Sequence, residues 1–335
     1  MVKKIINALD IDQLVANVQK SYGKDKSKAE EVSAGNKISF AKDDKDFVLW
    51  KDSPWHKLTG VPGIPFGKVV QIAGKPDSGK STHAMQFMTQ AQNQNVLVIF
   101  WDTEKKFSSA RFDKYFGGDS SALICVTSRL ILDGADRIER IIHEAKKLDE
   151  SLKILIVWDS VGGSLAKNEN VIIKKDSYEG SMDGSKQMAA ASKENGTALR
   201  GFVRLMEAYK DTETNQETIA ILLINQTYSN IGSPGQKQSG GQKVEYFSSI
   251  VVQLTRKSDI NIVKNKIKMK TGIVTRAKVS KNHLFDGESS VSELDLAISA
   301  GGIKLVSEMK VKNSADAVDV DDDGEEIGEI EIEEE

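Results

Sequence analysis

Nine consecutive residues, Gly74-Lys75-Pro76-Asp77-Ser78-Gly79-Lys80-Ser81-Thr82, constrain this chain more than any other feature. They satisfy the pattern G-x-x-x-x-G-K-[ST]. An apolar run, Lys68-Val69-Val70-Gln71-Ile72-Ala73, precedes them, and His83-Ala84-Met85-Gln86-Phe87-Met88 follows. Strand, glycine turn, then helix is the context in which this pattern carries meaning. Such a turn aims several backbone N–H groups at one point, and the helix N-terminus adds partial positive charge there. The residues Gly74 to Thr82 are therefore expected to cradle the phosphates of a nucleoside triphosphate. Lys80 reaches the β- and γ-phosphates and the Ser81 hydroxyl holds Mg²⁺. Local chemistry alone thus implies bound triphosphate and magnesium.

Downstream, apolar strands alternate with helical segments. Val96 to Trp101, Ala122 to Val126, Ile154 to Trp158, Ile219 to Ile224 and Ile250 to Leu254 read as strands. Arg137 to Leu148 reads as a helix with Ile138, Ile141 and Ile142 on one face. This alternation predicts an α/β fold with a mostly parallel central sheet flanked by helices. Ligands in such sheets sit at the carboxyl ends of strands. Asp159 closes the Ile154 strand, where a carboxylate tightens a magnesium site through Ser81 or bound water. Glu104 closes the Val96 strand, expected to lie beside the Lys68 strand, and is the candidate general base. Gln226 closes the Ile219 strand, where an amide can sense the γ-phosphate.

The flanks differ from this core. Residues 5–21 have apolar side chains at helical spacing and residues 23–46 are polar and lysine-rich. The expected organisation is a helix and linker over 1–46, serving subunit contact, a nucleotide-binding core over 47–306, and an acidic tail without regular structure over 307–335. Residues 316–335 carry twelve acidic side chains and no basic one. Removing them from the net charge of −3 leaves about +9 on residues 1–315, which suits a polyanionic ligand. Aromatic residues are 6% of the chain, so a mostly aliphatic core is expected. The single cysteine, Cys125, lies in an apolar run and is read as buried. The apolar stretch after Lys4 stops at Asp10, and no run is long enough to span a bilayer, so a cytoplasmic protein without a membrane partner is expected.

Asp102-Thr103-Glu104, Val157-Trp158-Asp159-Ser160, Asn225-Gln226 and Ser239-Gly240-Gly241, with Tyr246-Phe247-Ser248-Ser249 beyond, together resemble the RecA/RadA recombinases, most closely the phage UvsX-type members. The similarity is collinear from about Asn17 to Leu305. It implies a RecA-like ATPase core that uses ATP and Mg²⁺, with Glu104 as catalytic glutamate and Gln226 as the link between nucleotide and DNA. Arg111 matches a position that packs on the adenine, usually aromatic in the family. A guanidinium can stack there instead.

The resemblance also implies two DNA-binding loops, about 169–188 and 227–244. Lys174, Lys175, Lys186, Lys237 and Lys243 are the candidate phosphate contacts, with Gly240, Gly241 and the wedge residue Ile231. With no Phe or Trp between Ser229 and Lys243, base stacking should contribute less than backbone contacts. Thr275 to His283 resembles the segment that completes the ATP site of the neighbouring subunit. It places Lys281 there as a trans cation, with His283 where a second lysine is usual. An interface of that kind is head-to-tail and builds an open filament.

Relative to bacterial RecA proteins, only residues 292–306 and the acidic tail follow the core, and a further duplex-gathering domain is not expected. By resemblance the activity is a DNA-dependent ATPase that forms helical filaments on single-stranded DNA, pairs it with homologous duplex DNA and promotes strand exchange. A loading mediator or single-strand-binding protein would be a further partner. A RecA-like hexameric helicase, or a recombination mediator with weak ATP turnover, shares parts of the same residue set.

Overall fold

A computed structural model describes residues 16, 20, 46–50, 54–167, 172–174, 177–179, 184–229, 236–264, 267–284, 291–299, 302–306, 311–320 and 326–332. The chain divides into two compact units, Met1–Lys42 and Asp43–Glu335. In the first, Ala16 and Lys20 are described and both are helical; the rest of the expected helix and the linker lie outside the described residues.

The second unit is built on one large sheet. Its parallel part comprises β3 (Val69–Gly74), β4 (Leu97–Asp102), β5 (Leu123–Val126), β6 (Ile154–Asp159), β9 (Ile219–Ser229) and β11 (Ile250–Lys264). The order across it is β11-β3-β9-β6-β4-β5. On the far side of β11, antiparallel strands β12 (Ile267–Asn282), β13 (Glu293–Ser299) and β14 (Gly302–Leu305) continue the sheet. A separate hairpin, β1 (Phe47–Leu49) with β2 (Gly63–Pro65), flanks α1 (Trp55–Thr59). The expected α/β class with a mostly parallel sheet is what the chain forms.

Strands buried on both faces must be apolar throughout, and this one is: Ile219 to Ile224 are fully buried at every position. Each such aliphatic side chain contributes about 1.5–3 kcal/mol through removal from water. Helices α2 (Lys80–Gln92), α3 (Ser109–Phe116), α4 (Ile131–Leu148), α5 (Gly184–Ala208) and α6 (Gln242–Phe247) accompany the sheet. Ile138 and Ile142 of α4 and Leu199 and Phe202 of α5 bury against Trp101 and Trp158. These two indoles stack at 4.1 Å across adjacent strands.

Two expectations change here. First, the Glu104 strand is not beside the P-loop strand: β9 and β6 stand between β3 and β4. After α2 the chain crosses past two positions that later strands fill. Second, Cys125 is exposed, because β5 is the edge strand and only alternate residues, such as Val126, turn to the packed face. The core is mostly aliphatic, as expected, although all four tryptophans are buried within it, Trp50 and Trp55 in a second cluster with Phe87.

The acidic tail, expected to lack regular structure, carries β15 (Val311–Val320) and β16 (Glu326–Ile332) as an antiparallel pair. Ile330 and Glu331 pair with Ile260 and Asn261 of β11. Alternation of Glu with Ile over 329–332 supplies the period-two pattern that a strand requires. No helix of the described residues is long and apolar enough to cross a membrane.

Candidate active site

The carboxyl ends of β3, β4, β6 and β9 open into one cavity of about 910 Å³, within the range of small-molecule sites. Its floor is the loop from β3 into α2. Gly79 has φ +89°, a left-handed conformation that a side chain disfavours, and a Cβ there would lie 2.4 Å from Ile298 Cδ1. Lys80 is nearly buried, with Nζ donating to the Lys75 carbonyl at 2.6 Å. Burial holds its ammonium below the ordinary lysine range, while Asp159, Glu104 and Asp77 pull it back up. A buried lysine folded onto its own loop carbonyl has a donor set ready for phosphate oxygens.

Asp159 receives a hydrogen bond from Ser81. Burial pushes its carboxyl up to about 6, the Ser81 bond opposes this, and Glu104 and Asp102 add repulsion. A carboxylate destabilised in this way beside a hydroxyl is a good fit for a divalent cation. Among the described residues, no cluster of three or more His, Cys, Asp or Glu forms a metal cage. Magnesium does not require one, since it is held by one or two protein groups with phosphate oxygens and water.

Thr103 explains how Glu104 reaches this cavity although its strand is remote from β3. Its Oγ1 donates to Ser160 O and accepts from Ser160 N, both at 2.9 Å, and Thr103 N donates to Asp159 O. These bonds zip the end of β4 onto the end of β6. The Glu104 carboxylate then accepts at Oε1 from Ser160 Oγ at 2.6 Å and from Gln226 Nε2 at 2.7 Å. Lys106 Nζ lies 2.5 Å from Oε2. Burial alone would raise the Glu104 carboxyl, but the bonds from Lys106, Ser160 and Gln226 bring it below the usual range. It is thus ionised at neutral pH, as a proton acceptor must be.

Gln226 is bonded in the other direction too. Its main-chain carbonyl accepts from Ser239 N at 2.8 Å, and Asn225 Nδ2 donates to Ser239 O at 2.9 Å. Beyond Gln226, β9 pairs antiparallel with β10 (Gln236–Gln238), Lys237 opposite Tyr228. Gly240 and Gly241 (φ +81° and +84°) turn this hairpin into α6. A Cβ at Gly241 would lie 2.1 Å from Ser192 Oγ, so the turn packs against α5.

Pro76, Asp77, Ser81, Thr82 and Arg111 line the cavity with Lys80, Glu104, Asp159 and Gln226. Arg111 stands at its mouth on α3, its guanidinium 5.8 Å from the Phe116 ring. Gly74, Lys75 and Ser78 form the loop behind Lys80. Lys281 lies away from the cavity, on β12, donating to the Glu245 and Tyr246 carbonyls at 2.7 and 3.3 Å.

In the first loop span, Lys174 sits on β7 (Ile172–Lys174), which pairs with β8 (Ser177–Glu179). Lys186 falls inside α5, so the span ends in helix rather than loop. Lys243 is exposed on α6, its side chain against Gly196. Lys175 and Ile231 lie outside the described residues. Thr103, Ser160, Asn225 and Lys106 are site residues that motif reading passes over, although three of them stand inside the quoted motifs.

A family model described as the RecA N-terminal domain matches residues 11–303. Protein RecA of Ureaplasma parvum serovar 3 is 29% identical over 232 residues, covering 68% of this chain and 61% of that protein. Protein RecA of Aquifex aeolicus is 27% identical over 257 residues, covering 76% of this chain and 66% of that protein. The mitochondrial DNA repair protein recA homolog 3 of Arabidopsis thaliana is 28% identical over 232 residues, covering 67% and 47%. The chain spans about half to two thirds of the length of these curated relatives. The family-model match spans most of the chain, and the chain belongs to the RecA family through its RecA N-terminal domain.

Proposed function

We propose that this protein is an ATP-dependent homologous recombination protein, nearest the phage UvsX-type members on its Asp102-Thr103-Glu104 and Val157-Trp158-Asp159-Ser160 segments. It polymerises head-to-tail on single-stranded DNA, pairs it with homologous duplex DNA, promotes strand exchange and hydrolyses ATP in a DNA-dependent manner. A mediator or single-strand-binding protein assists loading.

The observation that carries this reading is Gln226. Its side-chain amide donates to the candidate base Glu104, and its main-chain carbonyl accepts from Ser239 N at the foot of the second loop. Occupancy of the cavity and the arrangement of that loop therefore share one residue. Such an element can couple two ligands.

In the cavity, Lys80 holds the β- and γ-phosphates, and Ser81 and Asp159 hold Mg²⁺, which neutralises charge on the phosphate oxygens. Glu104 takes a proton from the attacking water. Arg111 stacks on the base. Lys281 of an adjacent subunit supplies positive charge from outside, so that turnover depends on assembly. The loop lysines Lys174, Lys175, Lys186, Lys237 and Lys243 contact DNA phosphates, with Ile231 between bases and Gly240-Gly241 as the turn that lets the second loop close.

Electron microscopy with single-stranded DNA and a non-hydrolysable ATP analogue, paired with ATPase measurements, tests this. Open helical filaments and DNA-stimulated turnover are expected. Closed rings, or turnover indifferent to DNA, would refute the reading.

A further inference from the structure

Lys106 belongs to none of the motifs named above, yet it lines the cavity and pairs with the candidate base Glu104. Its ammonium meets Glu104 Oε2 at 2.5 Å, with its own side chain 78% exposed and that of Glu104 only 17%. The lysine approaches the pair from the solvent side and the glutamate from the enclosed side.

The turn that aims Lys106 is specifically built. Lys105 has φ +55°, a left-handed conformation uncommon outside glycine. Asp102, almost fully buried, accepts from Lys106 N at 3.2 Å through Oδ1 and from Phe107 N at 2.9 Å through Oδ2. The backbone therefore curls back over the end of β4 and directs the lysine into the cavity, which it lines beside Lys80, Asp77 and Asp159.

The bonding around Glu104 defines what Lys106 controls. Oε1 already accepts from both Ser160 and Gln226, which fills its lone pairs. Oε2 is the oxygen left to take a proton, and Lys106 covers it. A γ-phosphate placed on Lys80 carries more negative charge than one carboxylate and competes for the same ammonium.

We propose that Lys106 is a γ-phosphate-sensing cation of this subunit. It pairs with Glu104 Oε2, as the structure shows, and transfers to the γ-phosphate when a triphosphate enters, uncovering the base. Water then attacks phosphorus, its proton passes to Glu104 Oε2, and the bond from phosphorus to the leaving oxygen of ADP breaks. A diphosphate offers no γ-oxygen, so Lys106 stays on Glu104. This rests on the reading of the cavity as an ATP site.

The test is equilibrium binding of AMP-PNP and of ADP, with Mg²⁺, to the full chain and to Lys106→Met and Lys106→Arg. Loss of one charge-assisted bond should weaken AMP-PNP binding to Lys106→Met about tenfold, with ADP binding within about twofold of the parent. Lys106→Arg should restore discrimination between the two nucleotides. Retained ADP binding also reports that the Met variant is folded. Equal losses for both nucleotides, or no loss for either, would overturn the role of Lys106 while leaving the nucleotide site standing. If the parent chain bound neither nucleotide, the site reading itself would fail, and the Lys106 role with it.

Discussion

His83 makes the stability of the nucleotide loop depend on pH in a way that can be calculated. It lies in the first turn of α2, fully buried, with Nδ1 2.9 Å from the Gly79 carbonyl. A carbonyl only accepts, so Nδ1 carries the hydrogen and Nε2 presents a lone pair. Nε2 has no hydrogen-bond partner among the described residues; the Trp55 ring packs 5.3 Å away at 66°.

Protonating Nε2 would bury an uncompensated cation, and burial accordingly pushes the imidazole down from 6.5 to about 4. The unfolded chain takes up this proton near 6.5, whereas the fold resists it until about 4. Below 6.5 the unfolded state binds more protons, so stability falls as pH drops through that window. With those two values the loss between about pH 7 and pH 5 is about 2 kcal/mol.

Asp159 acts oppositely. Its carboxyl is raised to about 6 by burial, so its destabilising charge is relieved over the same range. Comparison with His83→Leu isolates the histidine, because the carboxylates titrate alike in both chains. The Gly79 carbonyl keeps its bond from the backbone N–H at position 83, 3.1 Å away, and the packing cost of the substitution is the same at both pH values. Urea unfolding of the nucleotide-free chains at the two pH values should show the parent losing about 2 kcal/mol more than His83→Leu. Parallel losses in the two chains would refute the assignment of His83 as a buried neutral base.

Glu104→Gln should lower ATP turnover by about 10²–10⁴-fold while nucleotide binding persists; normal turnover would remove Glu104 from its role. Asp159→Asn replaces a penalised buried charge by a neutral isostere. The nucleotide-free chain should therefore unfold at higher urea near neutral pH, by up to about 3 kcal/mol, with the gain vanishing as the pH falls below 3.8. The same variant should lose Mg²⁺-dependent nucleotide affinity in a binding titration, and an unchanged magnesium dependence would exclude Asp159 from the metal site. Gly134→Ala in α4 would place a Cβ 2.1 Å from Trp101 Cζ2, costing about 1–3 kcal/mol in chemical unfolding with no change in nucleotide affinity.

Much of the site is legible because its parts are local. The phosphate loop is one contiguous segment whose strand and helix neighbours are visible as patterns, and Asp159 and Gln226 mark the ends of apolar runs. Other parts are not local. Glu104 and Gln226 meet across 122 residues, and only the pairing of β4 with β6 and of β6 with β9 brings their ends together. Thr103 and Ser160 look like filler in their motifs until the two strand ends are seen to exchange hydrogen bonds. Lys106 resembles any basic turn residue, because the buried Asp102 that holds its backbone is recognisable only once both are in place.

The sequence by itself determined the phosphate loop, the α/β class and the strand-end acids, since glycine turns and apolar periodicity act over a few residues. Tertiary structure alone decided that β9 and β6 separate β3 from β4, that Cys125 lies on an edge, and that Lys106 covers Glu104. Strand order and register minimise the free energy of the whole sheet, and a shift of one residue would turn every buried side chain to the wrong face. No short segment carries that information, so the triphosphate loop could be read directly while the groups that surround it could not.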